Sequence, residues 1–228
     1  MAIILSIETS TSACSVALHE KGNLVALKEL HEPQMAASQL AVLTDKLFKE
    51  TAITRSMVKA VAVSLGPGSY TGLRIGVATA KGICYGLNLP LIAIDSLHVL
   101  AARVIPVSAT DLLCPMIDAR RMEVYCCLLD TSFNRIEPTQ AKIIDDSSFS
   151  NYLTTSSISF FGNGAYKCTA LIRHPNAKFL ENIYGSASDM GMIAFKKFQS
   201  RQFENLEMAE PNYLKEFVAK TKSPQSLL

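Results

Sequence analysis

The stretch with the most chemical potential is SLGPGSYTGLRIGVATAKG, residues 64–82, where an apolar run meets a glycine-rich turn and then a helical pattern. A strand, a glycine turn and a helix in that order can hold a phosphate, because the free N–H groups at a helix start point at the anion. Two specific templates fail. A phosphate loop of the G-x-x-x-x-G-K-[ST] type needs a Lys and a hydroxyl after its second glycine, and Gly72 is followed by Leu73 and Arg74. The dinucleotide fingerprint G-x-G-x-x-G, begun at Gly66 and Gly68, requires glycine where Thr71 stands. What remains is a corner in which Gly66 and Gly68 free the backbone on either side of rigid Pro67. Ser69 or Thr71 supplies an N-cap for a helix beginning near Gly72. The N–H groups there can face an anion or be satisfied by the caps alone, and spacing by itself favours the caps.

Few other residues offer chemistry. Glu8 ends the first apolar run and is followed by the hydroxyls of Thr9, Ser10, Thr11 and Ser12. Ser69 lacks the G-x-S-x-G surroundings of a hydrolase nucleophile, and the S-x-x-K match from Ser56 to Lys59 stands without its companion motifs. The six cysteines, at 14, 84, 114, 126, 127 and 168, sit mostly in apolar runs without a C-x-x-C, which reads as buried reduced thiols in a cytosolic protein.

The composition is that of an ordered globular chain: 228 residues, 49% apolar and 18% charged, enough for one large core or two modest lobes. No apolar run approaches the roughly 20 residues of a membrane span. The start, MAIILSIETS, lacks a basic leader and reads as a buried first strand. A net charge of +2 is too small to hold nucleic acid over a broad face. Arg120-Arg121 and Lys196-Lys197 are local basic pairs that read as solvated surface.

The elements that must position these residues follow from periodicity. AIILSIE, ACSVALHE and LVALKEL read as an antiparallel meander. Leu40, Leu43 and Leu47 mark a helix over 34–50, VKAVAVSL a strand covered on both faces, and the glycine loop opens a helix to about Leu87. LPLIAID is a fifth strand, after which Ser96 caps a short helix. The first lobe therefore reads β-β-β-α-β-α-β-α. After Pro106 the order partly recurs: strands LLCPMID, MEVYCCLLD, RIEPTQAKII and SISFFGNG, a helix over 146–153, and a last helix with an apolar face through Met192, Phe195 and Phe198. Related order in two lobes points to an internal duplication. Gly72 and Gly76 share a helix face, extended by Thr79 or Ala80, and glycine there costs about 1 kcal/mol each against alanine. Such a face admits another backbone, either the chain's own sheet or a partner's.

Three stretches together, IETSTSACSVAL (7–18), GPGSYTGLRIG (66–76) and IDARRMEVY (117–125), resemble the TsaB (YeaZ) family, and AEPNYLKEF (209–217) resembles that family's terminal segment. The resemblance implies an α/β, two-lobed actin/hexokinase/heat-shock-chaperone-like (ASKHA) fold, each lobe a mixed sheet flanked by helices. The expected division is 1–104 for the N-terminal lobe, with the association surface, and 105–228 for the C-terminal lobe, its final segment free to return to the first. The implied role is a non-catalytic subunit in forming threonylcarbamoyladenosine (t6A) in tRNA. It pairs with a TsaD-like catalytic subunit and a TsaE-like ATPase, forms a homodimer when alone, meets tRNA only through the complex, and works in the cytoplasm away from membranes. No cofactor is expected to bind this chain tightly; ATP or ADP and metal belong to the TsaD and TsaE partners.

The implied interface lies on the first two helices, at Met35, Gln39, Val42, Tyr70, Gly72, Leu73, Gly76, Thr79 and Ala80. A vestigial nucleotide site would fall on Glu8, Thr9, Ser10, Gly66, Gly68 and Asp118. Phosphate-handling members of the superfamily need an acidic residue on the first strand and glycine-rich turns in both lobes. Glu8 fits the first need, but Thr9 to Ser12 contain no glycine, and Arg120 and Arg121 fill the turn after Asp118. The sister subunit's H-x-x-x-H metal pair is absent, since the four histidines lie at 19, 31, 98 and 174, and the histidine that many family members carry near Ala36 is missing. Two alternatives stay open: an active ATPase or kinase of the same superfamily, and, less favoured, a peptidase-like enzyme or a module that binds tRNA directly.

Overall fold

Apolar runs without alternation become the central strands, because chain packs on both of their faces. The computed structural model describes residues 2–32, 36–106 and 108–215. β1 (Ile3–Glu8) is buried at every position and β2 (Cys14–Glu20) at all but its last. β3 (Asn23–Leu30), half-exposed, completes the antiparallel meander. α1 (Ala36–Lys49) crosses to β4 (Val58–Gly66), parallel to β1, and α2 (Tyr70–Leu87) crosses to β5 (Leu91–Asp95), parallel to β4. The sheet order is β3-β2-β1-β4-β5. Leu40, Leu43 and Leu47 of α1 and Val77, Ala80 and Cys84 of α2 fill one of its faces.

α3 (Ser96–Val104) leads to the second sheet, built from β6 (Leu112–Asp118), β7 (Glu123–Asp130), β8 (Arg135–Ile143), β9 (Ile158–Phe161) and β10 (Ala177–Leu180). Its order, β8-β7-β6-β9-β10, repeats the first sheet strand for strand, with the same two antiparallel and two parallel pairings. The crossovers are trimmed: α4 (Ser150–Leu153) and a 3-10 turn at Tyr166–Cys168 stand where the first sheet carries α1 and α2.

The two sheets share α3. Its Val99 packs with Ile4, Ile92 and Ile94, while Leu97, Leu100 and Val104 pack with Leu113, Ile117 and Phe161. A 3-10 turn at Ala187–Met190 and α5 (Gly191–Gln199) return to the first sheet, burying Ala187, Met190 and Ala194.

Several local expectations need correction. Asp95, not Ser96, caps α3, its Oδ1 accepting from the Leu97 N–H at 2.8 Å. The expected helix over 146–153 is only the single turn of α4. Met192 of α5 is 52% exposed, and Gly191 and Ala194 take the buried face. The cause is a close crossing: a Cβ on Gly191 would stand 2.3 Å from the Gly22 carbonyl oxygen and 2.4 Å from the His19 ring. The short strand β10 carries no sequence signal of its own. All six cysteines are free and buried. Among the described residues no helix is long and apolar enough to cross a membrane.

Candidate functional site

Glu8, at the end of β1, is fully buried. One carboxylate oxygen accepts from the Ser10 N–H at 2.6 Å, and the other accepts from the Ser64 hydroxyl of β4. Burial pushes its pKa up from the ordinary 4.5, and the nearby Asp189 charge adds to the rise. The acid is thus enclosed by the chain.

The turn after Glu8 is locked onto the glycine loop. Thr9 Oγ1 donates to the Gly72 carbonyl at 2.8 Å, and the Ser69 N–H donates to the Ser10 carbonyl at 2.6 Å. A Cβ on Gly68 would lie 2.2 Å from the Ser10 carbonyl oxygen, one on Gly72 2.1 Å from the Thr9 carbonyl oxygen, and one on Gly76 2.2 Å from Thr9 Oγ1. Gly66, with φ +111°, takes a conformation open to glycine, and the Asn212 carbonyl covers it. Ser69 is the N-cap of α2, accepting from the Gly72 N–H at 3.2 Å, so Thr71 is not. The gap between turn and loop, where an anion would have to enter, is filled by the chain's own backbone.

The second lobe shows the same contact in another chemistry. A Cβ on Gly164 would sit 2.8 Å from the Ile117 carbonyl carbon, so the loop after β9 presses on the end of β6 as the glycine loop presses on the end of β1. Asp118 is exposed; its N–H donates to Asn163 Oδ1 at 3.0 Å, and its carboxylate takes the Arg120 N–H at 3.1 Å and the Lys167 ammonium. A cavity of about 430 Å³ lies between the lobes, lined by Thr11, Ser12, Leu100, Asn163, Tyr166 and Tyr184 among others. Its lining includes Glu181 and no Lys, Arg or His, a poor match for a polyphosphate. Among the described residues no three His, Cys, Asp or Glu side chains gather as a metal set.

The outer faces of α1 and α2 are open. On α1 the exposed positions are Ala37, Ser38, Ala41, Val42, Lys46 and Lys49; on α2 they are Thr71, Arg74, Ala78, Gly82, Tyr85, Gly86 and Leu87. Tyr85 is 85% exposed, and nothing lies within 4 Å of a Cβ placed on Gly82 or Gly86. This divides the residues expected to meet a partner. Val42 is exposed; Gln39, Tyr70 and Thr79 are half-buried; Gly72, Leu73, Gly76 and Ala80 are buried inside the chain. Thr9 lies against Gly72 and Gly76, and Ala80 packs into the core of the first sheet, so that side of α2 is occupied by the chain itself. Met35 lies outside the described residues. Ala78, Gly82, Tyr85 and Gly86 also face outward, and their sequence signal is the complement of the buried stripe at helical spacing.

A terminal segment joins this face to the second lobe. Glu204 bridges to Leu91, and Lys81 of α2 donates to the carbonyls of Glu207 and Ala209, both at 3.0 Å. The Asn212 N–H donates to the Leu65 carbonyl at 2.7 Å, Tyr213 packs on Tyr70 at 5.0 Å between ring centres, and Lys215 pairs with Glu123 of β7.

Comparison with known proteins agrees with this geometry. A family model described as TsaD, tRNA N6-adenosine threonylcarbamoyltransferase, matches residues 33–223. The tRNA threonylcarbamoyladenosine biosynthesis protein TsaB of Escherichia coli is 29% identical over 97% of this chain and 98% of that protein. The Haemophilus influenzae protein of the same name is 34% identical over 54% of this chain, a match that spans 51%, about half, of that relative. A Pseudomonas aeruginosa crystal structure described as similar to peptidase YeaZ superposes with a TM-score of 0.84 at 25% identity, covering 94% of this chain and 100% of that one. The two-lobed ASKHA-like arrangement expected from the sequence is the one observed. The chain therefore belongs to the family that the threonylcarbamoyltransferase model describes, and within it to the TsaB (YeaZ) branch, whose curated members are named for t6A biosynthesis in tRNA.

Proposed function

We propose that this chain is a non-catalytic subunit that supports a TsaD-like threonylcarbamoyltransferase in forming t6A, and that it meets that partner through the outer faces of α1 and α2. When alone, the same face pairs two copies. The observation that carries the reading is a contrast within α2: its inner glycines are sealed against Thr9, while its outer glycines face open space beside an exposed tyrosine. Small residues around an aromatic anchor suit close helix packing against a partner. The closed turn–loop contact and a cavity without basic residues support a chain that has lost its phosphate grip. In this reading ATP or ADP and metal are held by the TsaD-like partner and a TsaE-like ATPase, tRNA is engaged through the complex, and the work is done in the cytoplasm.

Gly82→Arg tests it, since the new side chain projects into solvent without touching the core. Sedimentation with the catalytic partner, and of the chain alone, should show association weakened at least about tenfold, with circular dichroism unchanged. Wild-type affinity in the variant refutes the surface assignment.

A further inference from the structure

Arg120 and Arg121 occupy the tip of the β6–β7 hairpin, and both are exposed. Their φ angles are +71° and +48°, two consecutive residues in the left-handed region. Asn and Gly adopt that region most readily; a long side chain there costs free energy that the fold must offset elsewhere. The turn is nonetheless held firmly. The Ala119 N–H donates to the Glu123 carbonyl at 3.1 Å and the Glu123 N–H to the Arg120 carbonyl at 3.2 Å. The Lys167 ammonium donates to the Arg121 and Glu123 carbonyls, both at 2.7 Å.

The charges around the tip are sorted as well. Asp118 is paired with Lys167 and Glu123 with Lys215, so each flanking carboxylate is already neutralised. Neither arginine guanidinium has a hydrogen bond or ion pair among the described residues. Four cations against two anions leave two positive charges at this one turn, as much as the net charge of +2 for the whole chain. Solvated arginines would need neither the strained backbone nor the lysine clamp.

We infer that the Arg120–Arg121 turn is a phosphate clamp for the RNA backbone, contacting adjacent phosphates of the tRNA substrate. The inference rests on the functional reading above, because a tRNA must be brought to the assembly. Guanidinium forks match phosphate oxygens, and a turn held by these hydrogen bonds carries two of them on consecutive residues, so little backbone ordering is left to binding. The low net charge makes this a local contact that adds to the complex's grip and gives the isolated chain only weak, salt-sensitive binding.

The test is fluorescence anisotropy of unmodified tRNA across a salt series, with the full chain alone and with its catalytic partner. Wild type is compared with Arg120→Asn/Arg121→Gly and with Arg120→Lys/Arg121→Lys. The Asn/Gly pair suits the left-handed backbone, so that variant should melt higher by roughly 2–4 °C. It should also lose about tenfold in RNA affinity at low salt and lower the slope of log K against log salt by about 1.5. The Lys pair should keep the slope. Equal slope and affinity in the Asn/Gly variant would overturn the clamp, as would the absence of salt-dependent binding by wild type in either state. Loss of affinity for a protein partner with RNA binding intact would also overturn it, by making the turn a dock for an acidic protein. Sedimentation of the same samples reads the α1–α2 association separately, so a failure there counts against the functional reading and leaves the RNA result standing.

Discussion

Glu8 and His19 are both fully buried, and burial moves their protons in opposite directions. His19 stays neutral: its Nε2–H donates to the Ser188 carbonyl at 3.2 Å while Nδ1 accepts from the Ser6 hydroxyl at 3.1 Å. With its pKa lowered from the ordinary 6.5, the unfolded chain takes the proton first. Its contribution to stability is therefore complete above about pH 6.5 and is lost as the pH falls below that value. Urea midpoints should drop as the pH is lowered below about 6.5, and His19→Gln should flatten the drop. Glu8 has the reverse sign, since its raised pKa lets the native state take the proton first. Its contribution is greatest below pH 4.5 and is lost as the pH rises through the native value. Glu8→Gln, which keeps an acceptor for the Ser10 N–H, should melt no lower than wild type at pH 8; a clear drop would show that the charge itself is needed. The sequence revealed an acid at a strand end. It did not reveal the closure by Ser64, which stands 56 positions away and looks like any strand serine.

At the scale of the element, α2 carries two kinds of glycine, and they should respond oppositely. Gly76→Ala pushes a Cβ into Thr9 Oγ1 and breaks the tie to Gly72, at a cost of about 1–3 kcal/mol in chemical unfolding. Gly82→Ala meets no neighbour and should stabilise by up to about 1 kcal/mol through helix propensity. Equal effects at the two sites would contradict the division of the helix into sealed and open faces. The four-residue spacing of Gly72 and Gly76 announced a close backbone approach, but the approaching segment lies 63 residues earlier than Gly72, beyond the reach of periodicity. The same limit explains α5, where the apolar pattern named Met192 and the tight crossing at Gly22 selected Gly191 instead. Outward residues such as Gly82 and Tyr85 carry no apolar stripe, so the open face was legible only as a remainder.

In the whole molecule, two sheets of the same order meet across α3, whose side chains belong to both cores. The repeated strand order was readable because it survives in the pattern of apolar runs; the trimming of the second lobe's helices to single turns was not, since short apolar loops resemble helix fragments. A shared helix should make the lobes unfold together. Leu100→Ala should cost about 2–5 kcal/mol while leaving one cooperative transition in calorimetry, and two separated transitions would contradict the shared core. The architecture thus keeps a two-lobed frame, fixes its lobes on each other and offers α1 and α2 outward. The most direct measurement is t6A formation in tRNA with the proposed TsaD-like partner and this chain reconstituted together. If the proposed role holds, Gly82→Arg abolishes stimulation of that partner while Glu8→Gln leaves it within about twofold of wild type. Loss of activity in Glu8→Gln with full activity in Gly82→Arg would contradict it.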